Sequence, residues 1–232
     1  MKIGHLVGLF VLAFVALQAA FLLRVATMAV VDPQSTTFQR SEAWRLLIEQ
    51  HRISWSQDWM PAERISGQLG RAVIASEDAG FVDHHGVEWE AIENAWKRNQ
   101  RNQSLAPARA KVVGGSTISQ QLAKNLLLSG ERTVLRKGQE LLITMMLEAL
   151  LPKRRILEIY LNSVEWGEGV FGAQAAARHY FHVDAARLTA EQSARLAVML
   201  PAPKRFEKRP ASAYVVGRAA TIVARMPAVE MP

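Results

Sequence analysis

Residues 114–125 read GGSTISQQLAKN, and this stretch decides what the chain folds into around its chemistry. Two glycines break the chain, and Ser116-Thr117 then opens a helix. Thr117 with Gln120 three residues later has the spacing of a capping box, in which each side chain satisfies a free backbone N–H of the other. Beyond the cap, Ile118, Leu122 and Leu126 fall on one helix face, while Thr117, Gln121 and Lys124 share another. A glycine-led helix N-terminus offers backbone N–H groups and a positive dipole end to an anion, and Lys124 adds a full charge further along. A well-capped amphipathic helix with a solvated polar face fits the same residues.

Downstream, residues 136–140 read RKGQE, with Arg136 and Glu140 at i,i+4. A surface ion pair would account for the spacing and would contribute little. The residues that follow, LLITMML, are nearly all apolar, so charges at the mouth of this helix are partly buried and need partners. Upstream, Glu77-Asp78 opens the pattern E-D-x-x-F-x-x-H-x-G through Phe81, His84 and Gly86. A carboxylate beside a second carboxylate and an aromatic ring can have its proton affinity raised, as a general base needs. A solvated acidic turn with His84 as a structural donor fits this segment alone. A fourth run, residues 153–172, carries Glu158 and Asn162 at i,i+4 and a glycine-marked tight turn. It reads as a brace for the cleft, with backbone closely approached at the turn.

The rest of the 232 residues frames these motifs. Helices are expected over 41–52, with Trp44, Leu47 and Ile48 on one side, and over 65–75, 137–151, 154–161, 174–180, 190–200 and 211–225. No stretch alternates as a strand does, and 99–111, polar, basic and proline-interrupted, reads as a surface loop. Residues 6–23, LVGLFVLAFVALQAAFLL, hold no charge and one polar side chain, Gln18, over about the length that crosses a bilayer. A retained single-span anchor fits better than a signal peptide, whose apolar region is shorter, or a core helix, which would show a polar face. Lys2 and Arg24 flank the span and give no preference for orientation. Trp55 and Trp59 lie close behind it, suited to the membrane interface or to packing on the domain. With no cysteine there is no disulfide framework and no thiolate metal site. The net charge of +7 suits anionic partners. No nucleic-acid motif is present, so membrane lipid or a lipid pyrophosphate is the economical partner.

Together the four runs resemble the signatures of the peptidoglycan glycosyltransferase family, which includes the N-terminal module of bifunctional penicillin-binding proteins. The resemblance spans residues 65–206, with the motifs in the family's order. The pairing of GGSTISQQLAKN with E-D-x-x-F-x-x-H-x-G is highly specific. Few residues follow the last motif, so the single-domain, monofunctional branch is expected, without a transpeptidase domain. The resemblance implies a mainly α fold with a lysozyme-like head lobe and a smaller membrane-proximal jaw lobe. One transmembrane helix precedes them, dividing the chain into an anchor at 1–24, a membrane-proximal segment at 25–60 and the catalytic domain at 61–232.

It further implies polymerisation of lipid II by inverting β-1,4 transfer with release of undecaprenyl pyrophosphate. Glu77 matches the catalytic base and Glu140 the second essential carboxylate, which assists the leaving group and is a candidate ligand for a divalent cation, Mg or Mn. Asp78, Phe81 and His84 match supporting positions. Ser116, Thr117, Gln121, Lys124 and Asn125 match the substrate cleft, and Arg136 with Lys137 the basic pair near the donor pyrophosphate. The implied setting is the inner membrane with the catalytic domain on the periplasmic side. Lipid II, the growing strand, membrane lipid and cell-division or cell-wall synthesis proteins are the implied partners. Two departures stand out. Ser119 replaces a threonine common in the family. The long 99–111 segment separates Glu77 from Glu140 further than usual and carries Arg101, Arg109 and Lys111. A muramidase-type hydrolase or lytic transglycosylase, and a non-catalytic cell-wall scaffold, are the competing functions.

Overall fold

The computed structural model of the chain describes residues 3–105, 115–128, 130–131 and 133–232. These form a mainly helical protein: α1 (Ile3–Thr27), α2 (Thr37–Gln50), α3 (Gly67–Glu77), α4 (Trp89–Leu105), α5 (Ile118–Leu127), α6 (Val134–Leu150), α7 (Lys153–Ser163), α8 (Ala173–Phe181), α9 (Ala190–Met199), α10 (Pro203–Phe206) and α11 (Ala213–Arg225). A small sheet of β1 (Ser56–Gln57), β2 (Glu165–Gly167) and β3 (Val170–Phe171) completes it, in the order β1-β3-β2.

The core forms where apolar stripes meet. Leu69, Ala72, Val73 and Ile74 of α3 face α9 and α11, burying Ala194, Leu196, Ala197, Val215, Ala219 and Ile222. Ile118, Leu122 and Leu126 of α5 are buried, as their spacing predicts, against α6 and α7. The capping box of α5 is formed: Thr117 Oγ accepts from Gln120 N–H, and Gln120 Oε1 accepts from Thr117 N–H.

Several expectations need correcting. The segment 99–111 is not a loop throughout, because α4 continues to Leu105; the remainder, with Arg109 and Lys111, lies outside the described residues. Trp89, Ile92 and Trp96 do share one helix face, but they are exposed, and among the described side chains of this helix only Ala95 is buried. An i,i+4 pair, Glu93–Lys97 at 2.6 Å, supports it locally instead. Helix α2 begins at Thr37 behind a Thr36–Gln39 capping box, and the side that carries Trp44, Leu47 and Ile48 is the outward one. Leu46 is buried beside Gln39 and Glu42, whereas Trp44, Leu47 and Ile48 face outward. The buried polar groups are satisfied: Gln39 Nε2 donates to Ser163 O (3.3 Å), and Glu42 takes Arg45 (2.9 Å) and Lys204 (2.5 Å).

The sheet was invisible as alternation because its strands are two and three residues long. It joins the segment behind α1 to the body: β1 pairs parallel with β3, and Trp55 stacks on Phe171 at 4.6 Å between centroids. Trp59 also packs on the body, under the Arg155 guanidinium. At the β2–β3 turn Gly169 has φ +72°, and a Cβ there would lie 2.0 Å from the Ser54 carbonyl oxygen. The close approach expected of this turn is therefore real. Gly169→Ala is expected to cost about 3 kcal/mol, from left-handed strain plus a clash with backbone that cannot swing away. Urea unfolding of the detergent-solubilised protein would measure it.

Helix α1 has a mean hydropathy of 2.6, and no residue of its most apolar window is buried; among the described residues it is the one helix long and apolar enough to cross a membrane. It runs three residues past the expected end at 24.

Candidate active site

Glu77 is the last residue of α3, and the burial of that helix against α9 sets where its carboxylate emerges. Burial is the main cause of a proton affinity raised above the ordinary carboxylate value. The hydrogen bonds from Gln121 and Ser76 oppose this, and the neighbouring Asp78 charge raises it least. Gln121 Nε2 donates to Glu77 Oε2 at 3.0 Å. On its other side Gln121 Oε1 accepts from the Tyr160 hydroxyl at 2.9 Å. Tyr160 is fully buried, and burial with the nearby Glu77 and Asp78 charges pushes its ionisation well above the usual phenol value. It therefore remains a donor, and that donation fixes the Gln121 amide with its NH2 toward Glu77.

Asp78 does different work from its neighbour. Its side chain is buried; Oδ1 accepts from His84 Nε2 (2.8 Å) and Oδ2 from the Ile118 N–H (2.9 Å). His84 Nδ1 accepts from Gly86 N–H at 3.0 Å, which places the ring proton on Nε2. Gly86 has φ +85°, and a Cβ on it would meet Thr144 at 2.7 Å; its carbonyl accepts from Thr117 Oγ at 2.7 Å. Asp78, His84, Gly86 and Thr117 thus clamp the end of α3 to the start of α5. The anion at this helix N-terminus is Asp78 itself. The Ile118 and Gln120 N–H groups, expected to face a ligand, are already taken. Phe81 is fully buried, edge-on to His84 and beneath the Lys153 ammonium, so it packs rather than lines a cleft.

The remaining predicted residues converge on a cleft of about 430 Å³. Ser116, Gln121, Lys124 and Asn125 line one side and Arg136, Lys137 and Glu140 the other, with Phe38, Gln120, Leu128, Gly130 and Glu131 completing the wall. Glu77 is not part of this lining; Gln121, which is, connects it. An adjoining depression of about 230 Å³ shares Ser116, Gln120 and Lys137 and is walled by Ile92, Ala95 and Trp96 of α4. Gly114 lies outside the described residues.

Glu140 is 3% exposed. Arg136 Nη1 bonds one of its oxygens at 2.7 Å and Lys137 Nζ the other. The Arg136 side chain is nearly buried, while Lys137 is half exposed. The acid thus holds two cations side by side at the cleft. No group of three His, Cys, Asp or Glu suited to a metal occurs among the described residues, and both Glu140 oxygens are engaged by cations. The residues present do not compose a cation site.

Tyr160, Phe38 and Glu148 were missed from the sequence. Glu148 accepts from Ser119 Oγ (2.5 Å) and pairs with Lys153 (2.9 Å), tying α5, α6 and α7 together behind the cleft. A lone hydroxyl in the apolar run ILEIYLN could have flagged Tyr160. The same run ties in the segment ahead of α3, Asn162 bonding both Met60 backbone groups as well as Glu158 O, and it reaches the cleft lining through the Tyr160–Gln121 bond.

Gln121→Leu is expected to raise the Glu77 proton affinity further, because it deletes a hydrogen bond to the ionised form. The acid limb of the pH–rate profile should move to higher pH, with activity recovered in part at alkaline pH. An unmoved limb would disconnect Gln121 from Glu77.

Compared with known proteins, the chain matches the family described as Transglycosylase over residues 46–227. It is 52% identical over 222 residues to the biosynthetic peptidoglycan transglycosylase of Paraburkholderia xenovorans, covering 95% of this chain and 90% of that protein. Against the protein of the same name from Burkholderia thailandensis it is 52% identical over 226 residues, 97% and 86% of the two chains. The Bordetella pertussis protein of that name is 52% identical over 208 residues, 90% and 85%. With the match running from α2 to the end of α11, through both carboxylates and the cleft between α5 and α6, the chain belongs to the transglycosylase family.

Proposed function

We propose that this chain is a membrane-anchored peptidoglycan glycosyltransferase that polymerises lipid II into glycan strands. The names of its relatives support the reaction class. The observation that carries the residue roles is a buried carboxylate of raised proton affinity, held by Gln121 at the edge of a cleft whose far wall is cationic.

Glu77 takes the proton from the 4-hydroxyl of the acceptor's N-acetylglucosamine as that oxygen attacks C1 of the donor's N-acetylmuramic acid. The C1–O bond to undecaprenyl pyrophosphate breaks on the opposite face, so the anomeric centre inverts. Negative charge grows on the departing pyrophosphate, and Arg136, Lys137 and Lys124 are placed to stabilise it. Glu140 keeps Arg136 and Lys137 together without neutralising both. With a good leaving group, one base suffices. A glycan hydrolase would need a second carboxylate flanking the sugar bond, and here the second acid is bound up by two cations. Helix α1 anchors the enzyme in the inner membrane with the catalytic domain on the periplasmic side.

The test is to incubate the purified full chain with lipid II and follow strand formation on a gel. Polymer formed by the wild type and lost in Glu77→Gln is the expected outcome. No polymer across detergents and added cations, or release of soluble fragments from cell wall alone, would overturn it. Resistance of the protein to carbonate extraction checks the anchor.

A further inference from the structure

From residue 3 to residue 30 every described side chain is exposed except four: Gln18, Phe21, Val25 and Met28. Their spacing of three, four and three is a single helix stripe. Val25 and Met28 are buried in the core and Phe21 packs against it. The Met28 carbonyl accepts from Arg155 Nε at 2.8 Å, and the same guanidinium pairs with Asp32 at 2.7 Å. The outer end of the span is thus gripped by α7 of the body.

Gln18 makes the second grip. Its Nε2 donates to Gln139 Oε1 at 2.9 Å, and Gln139 Nε2 donates back to Gln18 Oε1 at 2.9 Å. Gln139 sits on α6 immediately before Glu140, in the turn that carries Arg136 and Lys137. Gln18 is the one polar side chain of residues 6–23 and lies six residues, or ~9 Å along the helix axis, before Arg24. On an apolar span an amide turned to lipid without a partner is costly, so the position demands protein contact. A stripe of leucines would allow α1 to rotate and slide, whereas a reciprocal amide pair accepts one rotation and one depth. Val134 and Leu135 at the start of α6 are almost fully exposed, as suits side chains turned toward the membrane.

We propose that the anchor is a structural part of the donor site. The Gln18–Gln139 pair and the Phe21–Val25–Met28 stripe lock α1 to the body and hold Glu140, Arg136 and Lys137 at a fixed depth, level with a lipid-linked pyrophosphate. The docking stands on its own contacts; the depth-setting role rests on the lipid II function proposed above.

Because the chain contains no cysteine, docking can be read directly in liposomes. Gln18→Cys with Gln139→Cys should join through a short bis-methanethiosulfonate linker, giving a cross-linked tryptic peptide. Ala20→Cys with Gln139→Cys, about 200° round the helix, should not. Equal yields from the two pairs, or none from the first, would overturn the docking. The role is read from lipid II polymerisation by the full chain in the same liposomes. Gln18→Leu and Gln139→Leu should each raise KM roughly threefold to tenfold with kcat little changed. The double variant should be no worse than either single, since it leaves no orphaned amide. Unchanged KM values, or penalties that add, would overturn the depth-setting role even with cross-linking intact. An inactive wild type would count against the proposed substrate and leave the cross-linking result standing.

Discussion

Glu77→Gln is expected to lower kcat by about 10²–10⁴ while leaving KM and the fold in place. The amide is isosteric and still accepts from Gln121, so the local geometry is kept. The stability outcome separates a catalytic role from a structural one. A carboxyl whose folded proton affinity is raised favours the folded state while protonated, and that contribution is lost as pH climbs through the raised value. Above the ordinary range near 4.5, the wild type increasingly carries a penalty for a buried charge that the neutral amide lacks. The inactive variant should therefore melt at or above the wild-type temperature at neutral pH. Melts and single-turnover assays at pH 5 and pH 8 would check it. A variant both inactive and destabilised would point to Glu77 as a structural group.

Arg136→Leu is the second large effect, with activity and stability expected to part company once Glu140 is removed as well. Alone, it should cost about 10²–10³ in kcat, the loss of one charge stabiliser for the leaving group. It should also destabilise the fold by about 2 kcal/mol. That is less than the ~3–5 typical of breaking a buried pair, because Lys137 stays on the other Glu140 oxygen. The double variant Arg136→Leu/Glu140→Leu removes the stranded charge and should regain most of that stability, yet remain inactive. Thermal unfolding beside lipid II turnover would decide. Return of activity with stability would reduce the pair to a structural bridge.

Features that depend on neighbours within one turn were legible in the sequence. The Thr117–Gln120 cap, the buried Ile118–Leu122–Leu126 stripe and the Arg136–Glu140 pair follow from helical spacing alone. Helix α4 was not, because the polar, basic composition of 99–111 outweighed the helical spacing of Trp89, Ile92 and Trp96. Nor was the facing of α2: Trp44, Leu47 and Ile48 share one side as their spacing predicts, but that side points outward while Gln39 and Glu42 find partners in distant elements. The sheet fell below detection because strands of two or three residues show no period.

By itself, then, the sequence determined the family, the order of the motifs, the capped helix and the long apolar N-terminal helix, all of which are written in residues close along the chain. Only the tertiary structure decided how the acids of that motif divide their labour. Asp78 is spent on the α5 N-terminus, forty residues away, and Glu77 is left buried at the edge of the cleft, held by Gln121 and, through it, Tyr160. The same holds for Gln18, whose partner lies 121 residues along the chain. A side chain's proton affinity and bonding depend on what surrounds it in space, and no local pattern encodes those surroundings.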